Sequence, residues 1–220
     1  MAARYYKGRE VLKEYKQGRL VWQKGGIIPN DYTMCDYIYN SSAGSVDLGF
    51  VFSTKSNSLE IKFKQDEISN GMPCGSKDGD GRIWFYNNRT ANSFNIYFKP
   101  IAAAQVGMSI FAPLDTDTHI VKYVGEGNDQ YYYHNETLIG HGTLTNLSDT
   151  CDYNLNIFGR PANQYKGRIY YLKVWNTATE EVICNLIPCS RNSDGAAGFW
   201  DTAQEQFFTS TYWTAHFDNE

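Results

Sequence analysis

LEIKFK, at residues 59–64, alternates apolar and charged side chains without interruption. Side chains of a β-strand point alternately to the two sides of its sheet. Leu59, Ile61 and Phe63 would therefore line one face, and the three charged residues between and after them would line the other. A strand of this kind has one face in a protein core and the other in water, which predicts an antiparallel sheet with one buried side.

The same rhythm continues along the chain in both directions, and segments with a helical period are almost missing. Strand signals recur about every 8–12 residues and end at Gly, Asn or Asp, which is typical of a β-sandwich. A chain of 220 residues with 15% aromatic residues is long enough to form one such domain. We predict strands at residues 45–52, 59–64, 83–86, 94–98, 106–111, 118–124, 130–134, 155–158, 168–175, 182–187 and 198–201, and weak order at residues 68–81 and 209–220.

The first 26 residues form a separate pattern. Residues 11–15 and 19–23 read as two strands joined by a turn that ends at Gly18. Gly25-Gly26 and a turn at residues 29–31 then interrupt the pattern. We predict an N-terminal β-hairpin docking arm at residues 1–26 and a main domain at residues 27–220. The alternative is that the hairpin is simply an edge of the sandwich.

Charge and hydropathy exclude several classes of protein. The net charge is −4 with no basic run, so nucleic-acid binding is not expected. No apolar stretch approaches the ~20 residues of a membrane span, and the first residues do not follow the pattern of a signal peptide. We therefore expect synthesis in a cytoplasm and no membrane insertion. An odd number of cysteines without a CxxC pair favours reduced, buried thiols over a zinc site: Cys35, Cys74, Cys151, Cys184 and Cys189.

Three regions carry motifs of a known superfamily. They are SVDLGF at residues 45–50, a central hairpin that runs from THIVK at residues 118–122 to YYYHNETLIG at residues 131–140, and GRIYYLKVW at residues 167–175. The last is followed by IPC and DGAAGFWD, in an order common in jelly-roll proteins of tailed phages and gut bacteria. The chain resembles the concanavalin A-like lectin/glucanase superfamily in its laminin G-type branch. The resemblance implies an all-β, two-sheet antiparallel jelly-roll sandwich.

The N-terminal segment adds a second resemblance. Tyr6 and Gly8, followed by GRLVW at residues 18–22, are similar to short hairpin modules that open some phage virion proteins. This resemblance implies a protein of the virion surface that is assembled in the host cytoplasm. We expect the hairpin to contact other virion subunits by strand addition, and we expect a homo-oligomer because virion symmetry favours trimers or larger rings.

The carboxylates do not form the pattern of a glucanase. Glycoside hydrolysis needs two carboxyl groups that face one sugar, and residues i and i+2 of a strand would serve. Glu60 has no acidic partner at Lys62 or Lys64, and the adjacent pairs at residues 66–67 and 180–181 would point to opposite faces. We expect no enzymatic activity and no catalytic residues.

Two loops combine aromatic and polar side chains in a way that suits sugar recognition, in which rings meet the apolar face of a sugar and polar groups meet its hydroxyls. The first follows a strand on which Trp84 and Tyr86 share a face, and the second lies near residue 160. The alternative is that Trp84 packs in the core, as is common in sandwiches, and that both loops are merely hydrophilic. The candidate ligand-binding residues are Trp84, Tyr86, Asn88, Arg89, Arg160, Asn163 and Tyr165.

A short acidic motif is a candidate for calcium binding. Asp78 and Asp80 alternate with glycines and resemble a fragment of a calcium loop, and Asp115 and Asp117 are candidates from another loop. The distal Glu and the third ligand of an EF-hand are missing, which favours an ordinary turn. No other cofactor is expected.

These observations predict a non-enzymatic phage surface protein of capsid or tail that displays a lectin-like domain for attachment to host-surface glycans. One alternative is a purely structural decoration protein that binds no sugar. Another is a bacterial carbohydrate-binding module or a degenerate glycosidase. Binding to glycans would separate the first two, and hydrolysis of a polysaccharide would favour the last.

Overall fold

The computed structural model describes residues 5–6, 9–10, 13–16, 19–23, 28–42, 44–76, 82–99, 106–143, 150–159 and 165–217. Every regular element in these ranges is a β-strand, and two antiparallel sheets stack face to face as a sandwich. The predicted all-β sandwich is confirmed. None of these residues belongs to a helix long and apolar enough to cross a membrane.

The chain crosses from one layer of the sandwich to the other after β6, β7, β8, β12, β15 and β16. In chain order the strands are β1 (Tyr5–Tyr6), β2 (Arg9–Glu10), β3 (Lys13–Lys16), β4 (Arg19–Gln23), β5 (Tyr32–Met34), β6 (Tyr37–Asn40), β7 (Val46–Ser53), β8 (Asn57–Gln65), β9 (Gly71–Ser76), β10 (Arg82–Asn88), β11 (Ser93–Lys99), β12 (Val106–Phe111), β13 (Thr118–Glu126), β14 (Asp129–His134), β15 (Thr137–Thr143), β16 (Thr150–Ile157), β17 (Gly167–Asn176), β18 (Val182–Arg191), β19 (Ala197–Asp201), β20 (Gln206–Thr209) and β21 (Trp213–His216).

The N-terminal arm contains two hairpins where the sequence predicted one. β1 pairs with β2, and β3 pairs with β4, each pair as a two-stranded antiparallel sheet. β4 has the predicted bounds, and residues 11 and 12 of the other predicted strand lie outside the described residues. The domain boundary after residue 26 and the docking role of the arm stay predictions.

The smaller sheet has the strand order β12-β11-β10-β9-β16-β7. Weak order was predicted at residues 68–81, and strand β9 corrects this for Gly71–Ser76, which is buried along its whole length. Residues 77–81 lie outside the described residues. The sequence did not indicate this strand for two reasons. A strand buried on both faces shows no alternation of apolar and polar residues, and Pro73 and the two glycines are residue types that usually mark loops. Glycine at position 75 allows β9 to lie close to β10, because a Cβ at this position would lie 2.8 Å from the Ile83 carbonyl oxygen.

The C-terminal segment also corrects the sequence-based prediction. Weak order was predicted at residues 209–220, yet β21 pairs with β6 over four residues. Residues 218–220 lie outside the described residues. Trp213 is 6% exposed and belongs to the main core. The strand therefore joins the sandwich through an aromatic anchor that lies outside any alternating apolar run.

The larger sheet has the path β15-β14-β13-β8-β17-β18-β19-β20, with β5, β6 and β21 attached beside it. The deciding strand β8 lies near its middle, between β13 and β17. Leu59, Ile61 and Phe63 are fully buried, and the charged residues between and after them are half-buried on the other face, as predicted. A bulge in β17 leaves both Tyr170 and Tyr171 half-buried while the residues on either side of them stay in the core.

The hairpin between β14 and β15 has the tight turn that its position requires. Asn135 and Glu136 both adopt positive φ, at 46° and 68°. Two successive residues of this kind form the primed turn that matches the twist of a two-residue hairpin. Asn135 is held further by its side-chain oxygen, which accepts the backbone N–H of Ile120 at 2.9 Å.

The core fills the space between the two sheets. Alternate residues of both layers point inward, and the rings of Phe63 and Phe94 stack across the interface with their centroids 5.0 Å apart. A smaller apolar cluster around Ile187 covers the outer side of the larger sheet near β5, β18 and β20. The outer face of β13, β8 and β17 lies outside this cluster.

Candidate functional site

Three aromatic side chains form a row on the outer face of the smaller sheet. Trp84 and Tyr86 on β10 are half-buried, while Ile83 and Phe85 between and beside them are fully buried in the core. Trp84 is the direct cross-strand partner of Tyr97 on β11. The ring centroids of Trp84 and Tyr86 lie 6.3 Å apart, and those of Tyr86 and Tyr97 lie 6.2 Å apart. We call Trp84, Tyr86 and Tyr97 the aromatic ladder.

The indole of Trp84 is held in place by the neighbouring strand. Its Nε1–H donates a hydrogen bond of 3.0 Å to the carbonyl oxygen of Ser76. The alternative that Trp84 packs in the core is wrong, because its side chain lies on the opposite face of β10 from the core residues. A fixed ring loses little conformational entropy when a ligand stacks on it, which favours binding.

Polar groups lie at one end of the ladder. Asn88 Nδ2 donates to the Tyr97 hydroxyl at 3.4 Å, and Asn88 Oδ1 accepts the backbone N–H of Ala91 at 3.0 Å. Arg89 is exposed at the start of the turn, and its backbone N–H donates to the side chain of Asn70. Four of the predicted site residues are thus together at the end of β10.

Burial and the neighbouring Tyr97 raise the pKa of Tyr86 above its ordinary value. The Tyr86 hydroxyl therefore stays neutral at physiological pH. A neutral phenol both donates and accepts hydrogen bonds, which suits the hydroxyl groups of a sugar.

The second predicted loop is only partly described. Arg160 and Asn163 lie outside the described residues, so their role stays a prediction. Tyr165 is a correction: its side chain is 1% exposed, with the ring packed against Phe63 and Phe158 at centroid distances of 6.0 and 6.3 Å. A ring inside the core cannot meet a ligand at the rim. The polar residues before Tyr165 in the sequence predicted an exposed loop and did not indicate that the Tyr165 ring is buried.

The predicted calcium loop also falls outside the described residues, since Asp78 and Asp80 are both in residues 77–81. In the part of the chain that the structure describes, no group of three or more His, Cys, Asp or Glu side chains is placed to hold a metal ion. Asp115, a candidate from another loop, instead accepts a hydrogen bond from His119 Nε2 at 2.8 Å. Calcium binding at residues 78–80 stays a prediction.

Tyr97 is a site residue that sequence reasoning missed. Its neighbours Ile96 and Phe98 alternate with it and point into the core, so a signal was present. What the sequence did not supply was the register of the hairpin, which places Tyr97 opposite Trp84. That register depends on the turn at residues 89–92, where Asn92 adopts a positive φ of 50°.

Glu60 on β8 lies between basic residues of the two adjacent strands. Its direct neighbours on the two adjacent strands are Lys122 and Lys173, and its Oε1 accepts the Tyr171 hydroxyl at 2.8 Å. These contacts give Glu60 no second carboxyl group for acid–base work on a sugar.

A chain of titratable groups lies between the two layers near the end of β12. His119 Nδ1 lies 2.9 Å from His134 Nε2, and His119 Nε2 lies 2.8 Å from Asp115 Oδ1. The ring of Phe111 stacks on both imidazoles, with centroid distances of 4.0 and 4.7 Å. The hydrogen bond between the two imidazoles needs one proton, because one of the two facing nitrogens must donate and the other must accept.

We expect the free energy of unfolding to decrease when the pH is lowered, because of His134. Burial and the neighbouring His119 lower the pKa of His134 below its ordinary value of 6.5, against the opposing effect of Asp115. The unfolded chain then binds more protons than the folded one near and below that value, so the free energy of unfolding decreases as pH falls through it. Urea denaturation between pH 7.5 and pH 5 should show a smaller decrease for His134→Gln than for wild type. The same replacement at the exposed His141 is the control, and equal slopes in wild type and His134→Gln would contradict the assignment.

No protein-family model and no curated protein sequence matches the chain. Solved structures do share its fold. A Bacteroides ovatus protein provisionally assigned to carbohydrate binding gives a TM-score of 0.59 at 15% identity and covers 85% of this chain and 61% of its own. A SAP-like pentraxin from Limulus polyphemus gives 0.56 at 10% identity, with 82% and 94% covered. Domains LG4-5 of the mouse laminin alpha1 chain give 0.56 at 10% identity, with 86% and 48% covered.

At these identities the likeness shows the fold alone. The chain shares the two-sheet jelly-roll fold of these structures, the fold that the resemblance in its sequence implied. Folds of this kind carry many functions, so the function must be argued from the surface of this chain.

Proposed function

We propose that the protein is a non-enzymatic surface protein of a phage virion, whose jelly-roll domain binds glycans of the host surface through the aromatic ladder. The observation that carries the binding function is the ladder itself. Three half-buried rings from two adjacent strands form a continuous apolar strip on an outer sheet face, where no core requires them.

The chemistry of the strip fits a sugar chain. Each ring offers a flat surface to the apolar face of a pyranose, while Asn88 and Arg89 offer donors at the end of the strip. The ladder spans only a few sugar units, so a single domain would bind weakly. Many copies on one particle would add avidity without new contacts.

The virion context is supported by the N-terminal arm. Its sequence is similar to modules that open phage virion proteins, and its short paired strands have edges that can accept a neighbouring strand. Purified particles from an infected culture would be tested for the protein by mass spectrometry and immunogold labelling. Detection only in the cell lysate, and never in particles, would count against this part of the proposal.

Trp84→Ala is expected to weaken glycan binding by about 10- to 30-fold, because removal of a central aromatic contact in a binding surface costs about 2 kcal/mol. The measurement is glycan-array binding of the full chain, followed by titration calorimetry with the best ligand. Tyr86→Phe keeps the ring and removes the hydroxyl, so a small loss there would assign the larger loss to stacking.

Tyr212→Ala is the matched control, because Tyr212 is an exposed aromatic residue in the turn before β21, away from the ladder. Its binding should equal that of wild type. Tight binding that survives Trp84→Ala would exclude the ladder as the site. Absence of binding to every glycan would favour the purely structural decoration protein.

A further inference from the structure

The outer face of the larger sheet carries a concentration of positive charge on three adjacent strands, β13, β8 and β17. The cross-strand registers place its cations in neighbouring rows: Lys122 and Lys173 are both direct partners of Glu60, and Lys64 is the partner of Arg168. We call this the cationic face; its cations are Lys62, Lys64, Lys122, Arg168 and Lys173.

Aromatic rings are interleaved with these cations. Lys122 Nζ lies 5.4 Å from the centroid of the Tyr133 ring and 5.5 Å from that of Trp175. Lys62 Nζ lies 5.0 Å from the centroid of Tyr170. The ammonium groups of these two half-buried lysines thus lie over aromatic rings, which favours particular positions for the charges.

The bulge in β17 enlarges this aromatic surface. Without it, Tyr170 and Tyr171 would point to opposite faces of the sheet, as adjacent strand residues do. With it, both tyrosines are half-buried on the outer face. There Lys62 Nζ lies over the Tyr170 ring, and the Tyr171 hydroxyl donates to Glu60. The bulge in β17 therefore adds a second tyrosine to the outer face of the sheet.

The charge balance of this face is opposite to that of the whole chain. The protein has a net charge of −4. The cationic face carries five positive side chains against Glu60 in its middle, Glu126 at the end of β13 and Asp66 at its edge, where Asp66 pairs with Arg168 at 3.1 Å. Among the described residues, no ion pair within 4 Å involves Lys62, Lys64 or Lys122. Three cations are therefore available for an external anion.

The position of Glu60 selects among anionic polymers. Glu60 lies between Lys122 and Lys173, which are about 10 Å apart because each strand is about 4.8 Å from the next. A nucleic acid carries a phosphate on every unit, and a central carboxylate would repel it. A chain of acidic sugars carries hydroxyl groups between its carboxylates, so those hydroxyls can donate to Glu60 while the carboxylates reach the lysines on either side.

We propose that the cationic face binds an acidic polysaccharide with carboxylate-bearing sugar units, as a second surface distinct from the aromatic ladder. The rings of Tyr133, Tyr170 and Trp175 stack on the sugars, and the lysines pair with the carboxylates. The two surfaces lie on opposite outer faces of the sandwich, so each can be disabled alone.

The test uses the full chain and measures binding to polygalacturonate and hyaluronate by affinity electrophoresis and titration calorimetry, with dextran as the neutral polymer. Wild type should bind both acidic polymers, with affinity that falls between 50 and 300 mM NaCl because exposed charges are screened. The double variant Lys62→Gln/Lys122→Gln should bind about tenfold more weakly, since it removes two surface charge pairs. Trp84→Ala should bind both acidic polymers as wild type does.

The matched control is Lys55→Gln/Arg191→Gln, which removes the same charge from residues that lie on none of the three strands. It should bind like wild type, and thermal unfolding would confirm that both double variants are folded. The proposal is overturned if wild type binds neither acidic polymer, or if the two double variants lose affinity equally. Stronger binding to single-stranded DNA or to heparin than to polygalacturonate would also overturn it, by assigning the face to phosphates or sulfates.

Discussion

Trp213→Ala is expected to lower the free energy of unfolding by about 3–5 kcal/mol, the usual cost of removing a buried tryptophan or phenylalanine side chain. Trp213 is 6% exposed, and its ring lies 5.1 Å from Phe158 and 5.6 Å from Phe199, measured between centroids. Its indole N–H also donates to the Gly44 carbonyl oxygen at 2.6 Å. Alanine would leave both a cavity and an unpaired carbonyl. Urea denaturation followed by tryptophan fluorescence and circular dichroism measures the loss.

The neighbouring residue provides the control for this prediction. Tyr212 is 49% exposed in the turn before β21, so Tyr212→Ala should change stability by no more than about 0.5 kcal/mol. If Trp213→Ala unfolded at the same urea concentration as wild type, β21 would not be docked on β6. The pair of variants therefore tests the C-terminal strand that the sequence pattern failed to predict.

Asp201→Ala is expected to cost about 2–4 kcal/mol, because one buried carboxylate oxygen organises the end of β19 and hydrogen bonds to charged groups are the strong ones. Asp201 Oδ1 accepts the backbone N–H groups of Asn185 at 2.9 Å, Ala203 at 2.8 Å and Gln204 at 3.4 Å. These bonds tie the turn between β19 and β20 to the adjacent strand β18. Thermal unfolding by differential scanning calorimetry measures the effect.

Asp201→Asn separates the role of the acceptor from that of the charge. Asparagine keeps the Oδ1 acceptor in nearly the same shape, so it should retain most of the stability that alanine loses. A loss as large as that of Asp201→Ala would show that the negative charge, and not the geometry of the turn, is what matters. Equal stability of wild type and Asp201→Ala would contradict the structural role altogether.

The sequence predicted the fold because most strands have one face in the core. In β8, three fully buried apolar residues alternate with half-buried charged ones, and this contrast can be read without any structure. β9 could not be found in the same way, because it is buried on both faces and contains Pro73 and two glycines. A strand is visible in sequence only where its two faces meet different surroundings.

The candidate site was predictable in part for a related reason. The spacing of Trp84 and Tyr86 places them on one face of a strand, and the structure bears this out. Tyr97 enters the ladder through the pairing of β10 with β11, and Tyr165 leaves the surface through packing on Phe63. Both outcomes depend on which residues become neighbours across the sheet or the core, and local alternation carries no information on that.

Lys62 and Lys122 show how a half-buried face can be misjudged from sequence. Alternation predicts that such charged residues are solvated, whereas both are half-buried and lie against aromatic rings. Their arrangement in rows with Tyr133 and Tyr170 arises only when β13, β14, β8 and β17 are brought side by side. The concentration of charge is thus a property of the sheet and of no single strand.

The buried thiols have a practical consequence. Cys35, Cys74, Cys184 and Cys189 are all buried in the sandwich and form no disulfide. Burial raises the pKa of Cys74 and Cys184 well above the ordinary value, and that of Cys189 to about 12. Cys35, Cys74 and Cys184 lie in the core between the layers, and Cys189 lies in the smaller cluster on the outer side of the larger sheet. Because alkylating reagents attack the thiolate, these sulfurs react only when the packing around them opens. The rate at which an alkylating reagent labels these thiols therefore reports the rate at which the packed structure opens.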